Sequence, residues 1–537
     1  MKKQATHQFP DRLVRAGLTA IAFLSLAAML FLFVSSMIAT SDMTTDNPMQ
    51  ELVVFRSDSL LCNIAVLALT IAVGVTLILL LRRLGWLGRI QPWMLSLGLG
   101  VWITLLGVLW VTMSLSAPTH DSYIVTAAGY AAAQGDLSRI DADYFIRFPF
   151  QLGYVFWPEL WARLFGLTHS DYLFMEIVNV LCLAFGEAAL VLLTEKLFKK
   201  RAVTVAATLM LALFFQPVIF CSFLYGTVPG FCFAAWSIFF LVRYMQTDKY
   251  RFLLPSAILL AMSVSLKLNN MILLVAAVII LLAHLMKKKP LRLLSAMILL
   301  CVTVLTLPNV GRWQYSLRMD KDFGDGIPMV SWLAMGLHDA VPAPGWYNGA
   351  YTVGNFHDHN CDSKAAADAS AQVIQNRLEE MRRSPRETAR FFCDKLLSQW
   401  NETTYQSIWN NQVRGQLGDK WGVAQYVCGE GESRAKSVMD FSVQFVFCGM
   451  LAATVNLSLR PLKKRDEYPA DESAVYLIPL LFLGGFLYHG LFEAKSQYVI
   501  SYVIFMIPYA AWGFAQACGT VKRACVRARV KRSGSRF

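Results

Sequence analysis

Apolar runs long enough to cross a lipid bilayer recur along this chain, and they decide what it can fold into. A helix needs about 20 apolar residues to span the hydrocarbon core, and backbone polar groups inside lipid must be satisfied within the protein. Runs of this kind fall near residues 16–39, 59–81, 92–115, 172–195, 203–223, 229–245, 269–286, 293–309, 438–459, 474–490 and 497–517, with a shorter one at 252–265. Of the 537 residues, 56% are hydrophobic and 16% charged, too apolar a balance for a water-soluble chain of this size. The expected fold is an all-α polytopic membrane protein with about twelve transmembrane helices. The first run is too long for the core of a cleaved signal peptide and is expected to remain as a helix.

The formal net charge of +13 suits nucleic acid as well as lipid until its distribution is read. Lys2, Lys3, Arg12 and Arg15 precede the first run. Arg82, Arg83 and Arg89, then Lys196, Lys199, Lys200 and Arg201, then Arg243, Lys249 and Arg251 follow at alternate connections. Lys287–Lys289 with Arg292, Arg460 with Lys463–Arg465, and Lys522–Arg532 complete the pattern. Such clusters mark cytoplasmic loops and contact anionic headgroups, so membrane lipids, not nucleic acid, are the expected partner. Both termini are then cytoplasmic, and segments 116–170, 222–228, 266–269, 310–437 and 491–496 face outward. The inward connections are short and contain no GxxxxGK[ST], which argues against an ATP-driven pump.

This divides the chain into an N-terminal helical hairpin (1–90), a transmembrane core (91–309) that includes the external loop 116–170, an extracytoplasmic region (310–437), C-terminal transmembrane helices (438–517) and a basic tail (518–537). Within the outward segments, Asp121–Gln134 reads as a short surface helix. Phe148–Phe165 is aromatic and amphipathic and reads as an interfacial helix. Ala365–Met381 and Pro385–Trp400 read as helices of a small α-rich external region, with Ser384-Pro385 as a start signal. Three of the eleven cysteines, Cys361, Cys393 and Cys428, share that region, where one disulfide among them is allowed.

The outward segments also hold the candidate chemistry. Asp121 follows the 92–115 run. An aspartate there can simply cap the next helix, or it can act as a base at the membrane boundary. Asp136, Asp141 and Asp143 add acid to the same loop, and Arg147 and Gln151 add donors just before the aromatic helix. Lys267, in Ser-Leu-Lys-Leu-Asn-Asn, is an outward cation that either snorkels to the headgroups or meets a phosphate. Glu493, Gln497 and Tyr498 open the last span. Tyr225, in the second external loop, and Trp346, in Gly345-Trp346-Tyr347-Asn348-Gly349, are further candidates. His357-Asp358-His359 with Asp362 lacks a second ligand pair at recognisable spacing, so no metal site is assigned.

Taken in order, an acid after an outward-going helix, Gly135-Asp136 and a Pro-aromatic helix ending Leu164-Phe165-Gly166 resemble the first external loop of GT-C glycosyltransferases. The similarity is to the family 39 type, which includes protein O-mannosyltransferases and aminoarabinose transferases. The Lys267 segment is similar to a Lys-bearing external turn of that group. Phe492–Tyr498 resembles its Glu-x-x-x-Arg-Tyr segment, with Gln497 in place of the arginine. The resemblance covers residues 90–310 and 475–517. It implies transfer of a sugar from a polyprenyl-phosphate donor to an extracytoplasmic acceptor: a cell-wall polymer, a glycolipid or a protein. Asp121 would be the general base, Lys267 and Arg147 would meet the lipid phosphate, and Glu493, Gln497 and Tyr498 would line the donor site. Gln151 and Tyr225 would lie on the acceptor side; Trp346, in a region the resemblance does not cover, is a further acceptor-side candidate as a sugar-stacking group, or else part of a small domain core. Many members carry a second acid in the second external loop. Here that loop, Phe223–Gly230, has none, which leaves Asp136 or Asp143, or a different contribution from Thr227. A divalent metal is allowed and not required. The expected location is the plasma membrane. The alternative reading is a transporter or flippase of a lipid-linked saccharide, for which Glu176 and Glu187 inside the fourth span are the hints.

Overall fold

The computed structural model describes residues 2–45, 50–168, 170–286, 290–413, 415, 417–460 and 470–534. Among them, nine helices are long and apolar enough to cross a membrane: Arg12–Ser36, Leu60–Arg83, Pro92–Ser114, Tyr172–Phe198, Thr227–Thr247, Leu294–Met319, Glu432–Leu459, Glu472–Leu491 and Ser496–Thr520. Arg201–Leu213, Tyr250–Leu266 and Leu268–His284 are shorter apolar helices. They fall on the runs expected from the sequence, and the chain is an all-α polytopic membrane protein. The helices are apolar around most of their circumference, as burial between lipid and neighbouring helices requires. Where two of them pack closely, small polar residues meet. Ser237 and Ser256 each donate to the other's backbone carbonyl, at 2.8 and 2.9 Å, and tie Thr227–Thr247 to Tyr250–Leu266. Leu60–Arg83 is the exception, with almost none of its surface buried against the rest of the protein.

The 203–223 run is not one helix. Arg201–Leu213 ends early, and a short helix, Gln216–Phe220, begins with Pro217 in its first turn. Proline supplies no N–H and disfavours helical backbone in the residue before it. Gln216 fixes the break. Its buried amide donates to Thr403 O and Met439 O, both at 3.2 Å, and to Ser442 Oγ at 2.8 Å.

Outside the spans, the surface helix expected over Asp121–Gln134 is His120–Ala133, and the aromatic segment forms Leu152–Phe165 after a turn at Pro149–Gln151. The external region holds Ser363–Arg383 and Pro385–Trp400 as expected. A two-stranded antiparallel hairpin, Ala39–Met43 with Val53–Ser57, was not foreseen. It docks on the external region: Ser41 N donates to Asn401 O at 3.1 Å, and Val53 N to Pro342 O at 3.2 Å.

Candidate functional site

Several connections between the spans converge on one cavity of about 760 Å³. Its wall includes Thr119–Ser122, Arg147, Gln151, Tyr225, Lys267, Glu493, Gln497 and Tyr498. Gln50 and Glu51 join them from beside the hairpin, and Tyr347, Asn348 and Trp409 from the external region. Three spans that end at or beside this cavity carry basic residues near their other end. Arg89 precedes Pro92–Ser114, Arg251 opens Tyr250–Leu266, and Arg243 and Lys249 close Thr227–Thr247.

Asp121 stands in the first turn of His120–Ala133. The capping role falls to Thr119, whose backbone N–H donates to Ser122 Oγ at 3.3 Å. The Asp121 side chain is therefore released to the cavity, where it accepts no hydrogen bond from a described residue. The helix N-terminus favours its negative charge. The chain leading into this turn is pinned from the external region. Ala117 N donates to Gly415 O at 2.6 Å, Leu417 N to Leu115 O at 2.8 Å, and Ser116 Oγ to Asn411 Oδ1 at 2.9 Å. His120, next to Asp121, takes a left-handed φ of 49°, a conformation that costs energy in a non-glycine residue.

Lys267 caps Tyr250–Leu266, and its turn is closed by Asn270, whose amide donates to Ser263 Oγ at 2.8 Å. Gly226 packs flat against this turn; a Cβ there would lie 1.7 Å from Leu266 O, so only glycine admits the approach. The contact brings Tyr225 beside Lys267. The ammonium sits 4.5 Å from the Tyr225 ring centre and 4.8 Å from that of Tyr498, and makes no ion pair with a described carboxylate. Burial pushes it down to about 8, with Glu493 and Asp121 favouring the charged form. Gln151 hydrogen-bonds the Tyr225 hydroxyl from the opposite side.

Glu493 lies between the last two spans and accepts from the Tyr498 hydroxyl at 3.1 Å. Burial pushes its carboxyl up to about 7. Two residues on, Lys495 pairs with Glu51 at 2.6 Å. Burial opposes the Lys495 charge, but Glu51 and Glu493 outweigh it and hold this lysine above its usual range. Glu51 also accepts from Gln406 Nε2 at 3.2 Å. Behind it the buried Glu402 accepts from Gln406 N at 2.6 Å and from Ser496 Oγ at 2.7 Å, and burial raises its carboxyl. This network ties the start of the last span to both the hairpin and the external region.

The structure thus brings Asp121, Arg147, Gln151, Tyr225, Lys267, Glu493, Gln497 and Tyr498 to one cavity. It places three other candidates elsewhere. Asp136 is in a surface turn and accepts from Ser138 N at 2.9 Å. Asp143 pairs with Arg147 at 3.0 Å without lining the cavity itself. Trp346 is fully buried with its indole N–H on Ser398 Oγ at 2.8 Å, and the neighbouring Tyr347 lines the cavity instead. Thr227 is buried and lines only a small recess beside Lys267 and Tyr498. Glu51 was missed: it lies in a polar stretch of sequence with no motif and becomes a site residue only through its contact with Lys495. No group of three or more His, Cys, Asp or Glu able to hold a metal occurs among the described residues. Cys361, Cys393 and Cys428 are free.

Residues 149–308 match the family model of dolichyl-phosphate-mannose-protein mannosyltransferase. The match covers under a third of the chain. It takes in Gln151, Tyr225 and Lys267 and leaves Asp121 and Glu493 outside. It supports a membrane glycosyltransferase of the GT-C type, with a polyprenyl-phosphate sugar as donor. No curated protein matches the chain.

Proposed function

We propose that the chain transfers a sugar from a polyprenyl-phosphate donor to a hydroxyl of an extracytoplasmic acceptor, with Asp121 as general base. The observation that carries this reading is Lys267: a cation held between two ring faces, with no carboxylate partner among the described residues, in the cavity that also presents Asp121, which accepts from none of them. A ring face contributes about 0.5–2 kcal/mol to a nearby cation. A phosphate 4 Å away, at an effective dielectric of about 20, would contribute roughly 4 kcal/mol. The rings therefore place the ammonium and leave its charge available.

In the reaction, the acceptor oxygen bonds to the anomeric carbon as the bond from that carbon to the phosphate oxygen breaks. The acceptor proton passes to Asp121, and the leaving polyprenyl phosphate gains one negative charge. Lys267 and Arg147 meet that charge as it develops, which is where preorganised cations lower a barrier. Glu493, Gln497 and Tyr498 line the donor side, and Gln151, Tyr225 and Tyr347 the acceptor side. The basic clusters support a cavity on the outer face of the plasma membrane, with both termini inside.

The test is Asp121→Asn in the purified full chain, supplied with a polyprenyl-phosphate sugar and an acceptor. Folding and lipid binding persist, and transfer falls by about 10²–10⁴-fold, as expected for loss of a positioned base. Undiminished transfer removes Asp121 from this role. Translocation of the donor by reconstituted vesicles with no glycosidic bond formed removes the transferase reading.

A further inference from the structure

The Pro385–Trp400 helix lies outside the cavity, yet two of its side chains end on the backbone beside Glu493. Lys395 is fully buried and makes no ion pair with a described carboxylate. Its Nζ donates to Gly336 O at 2.5 Å and to Phe492 O at 2.7 Å. One turn later, Gln399 Nε2 donates to His489 O at 3.2 Å. Gly336 ends one helix and Phe492 follows the end of Leu477–Leu491. The ammonium thus occupies the point where the carbonyl ends of two helices converge, groups with no partner inside their own helices and with partial negative charge. On the far side of Glu493, Ala494 N donates to Gly345 O at 2.8 Å. Both neighbours of Glu493 are therefore tied to the external region.

A buried lysine is costly unless its charge is compensated, and packing alone would be served by methionine or leucine. Burial pushes Lys395 down to about 7, the nearby Glu493 favours its charged form, and its direct contacts are two backbone carbonyls, one of them on the residue before Glu493. The cage is tight: a Cβ on Gly345 would meet Lys395 Cε at 2.4 Å. The helix itself is seated firmly, since Trp400 is fully buried against Phe482, Phe486 and Tyr502.

We propose that Lys395 is a positioning residue whose side chain holds the Phe492–Ala494 backbone so that Glu493 keeps its place against Tyr498 and beside Lys267 at the donor-phosphate site. This rests on the reading of the cavity as a lipid-phosphate site. The experiment is a double-mutant cycle on the detergent-purified full chain. Affinity for a polyprenyl phosphate is measured in the wild type, Lys395→Met, Glu493→Gln and the double variant, with hydrogen exchange of residues 488–498 as a second readout. Lys395→Met is expected to change affinity by about fivefold or more in the wild-type background and by less than about twofold in the Glu493→Gln background, because coupled residues are not additive. Exchange rises at residues 490–495 only. Equal effects in both backgrounds overturn the proposal. So does a wild-type protein that binds no polyprenyl phosphate, which also removes the reading it rests on. If Lys395→Met does not fold, Lys395→Gln, which removes the charge and keeps a polar side chain, enters the same cycle. Failure of both to fold makes Lys395 a fold element and overturns the proposal.

Discussion

The Lys267 ammonium stands 4.8 Å from the ring centre of Tyr498, the residue whose hydroxyl donates to Glu493 at 3.1 Å. One side chain thus serves the cation with its face and the acid with its edge. Replacing it separates the two services. Tyr498→Leu removes the face and should weaken polyprenyl-phosphate binding by about 2- to 30-fold, the equivalent of about 0.5–2 kcal/mol. Tyr498→Phe keeps the face and should bind nearly as well as the wild type. Equal losses in the two variants would show that the ring face is irrelevant.

Phosphate binding should fall as pH rises through about 8, since burial brings Lys267 down to that value from the ordinary 10.5. Below it the ammonium is charged and binds; above it the neutral amine prevails, and affinity drops about tenfold per unit. Glu493 favours the charged form. Glu493→Gln should therefore move this limb to lower pH. Titration of affinity between about pH 6 and 10 reads the shift, and an upward move in the variant contradicts the assignment.

Gly226→Ala places a Cβ 1.7 Å from Leu266 O, with backbone on both sides and no flexible atom to yield. Overpacking of this kind costs about 1–3 kcal/mol. The variant should melt at lower temperature and lose phosphate affinity together, because the same contact seats Tyr225 beside Lys267. Gly98→Ala, where a new Cβ meets nothing within 4 Å, is the control and should do neither. Unchanged melting in Gly226→Ala would mean the two turns separate at no cost.

The spans were legible because a bilayer demands one simple property, length of apolar sequence. Asp121, Lys267 and Glu493 were legible as a group because alternation of the spans puts all three connections at the same end. Beyond that, local sequence is silent. The break at Gln216 depends on acceptors contributed by Thr403, Met439 and Ser442, far along the chain. Glu51 gains its role from Lys495, and Lys395 from Phe492. Trp346 and Tyr347 are adjacent aromatics with equal claims by composition; which one lines the cavity follows from Ser398 accepting the Trp346 indole. Periodicity reports which face of an element is apolar. It does not report which distant element will meet it.

The hairpin beside the first span carries a consequence for how the protein is made. Ser41 is bonded to Leu397 and Asn401, and Val53 to Pro342, so the hairpin lacks its full set of partners until the ribosome has passed residue 400. At about 5–20 residues per second, that leaves it waiting for roughly 20–70 s. The first two helices must therefore enter the membrane and persist there on their own apolarity, and the cavity closes last, when Glu51 receives Lys495 from the connection before the last span. A nascent chain halted before that point would be inserted yet have no finished site.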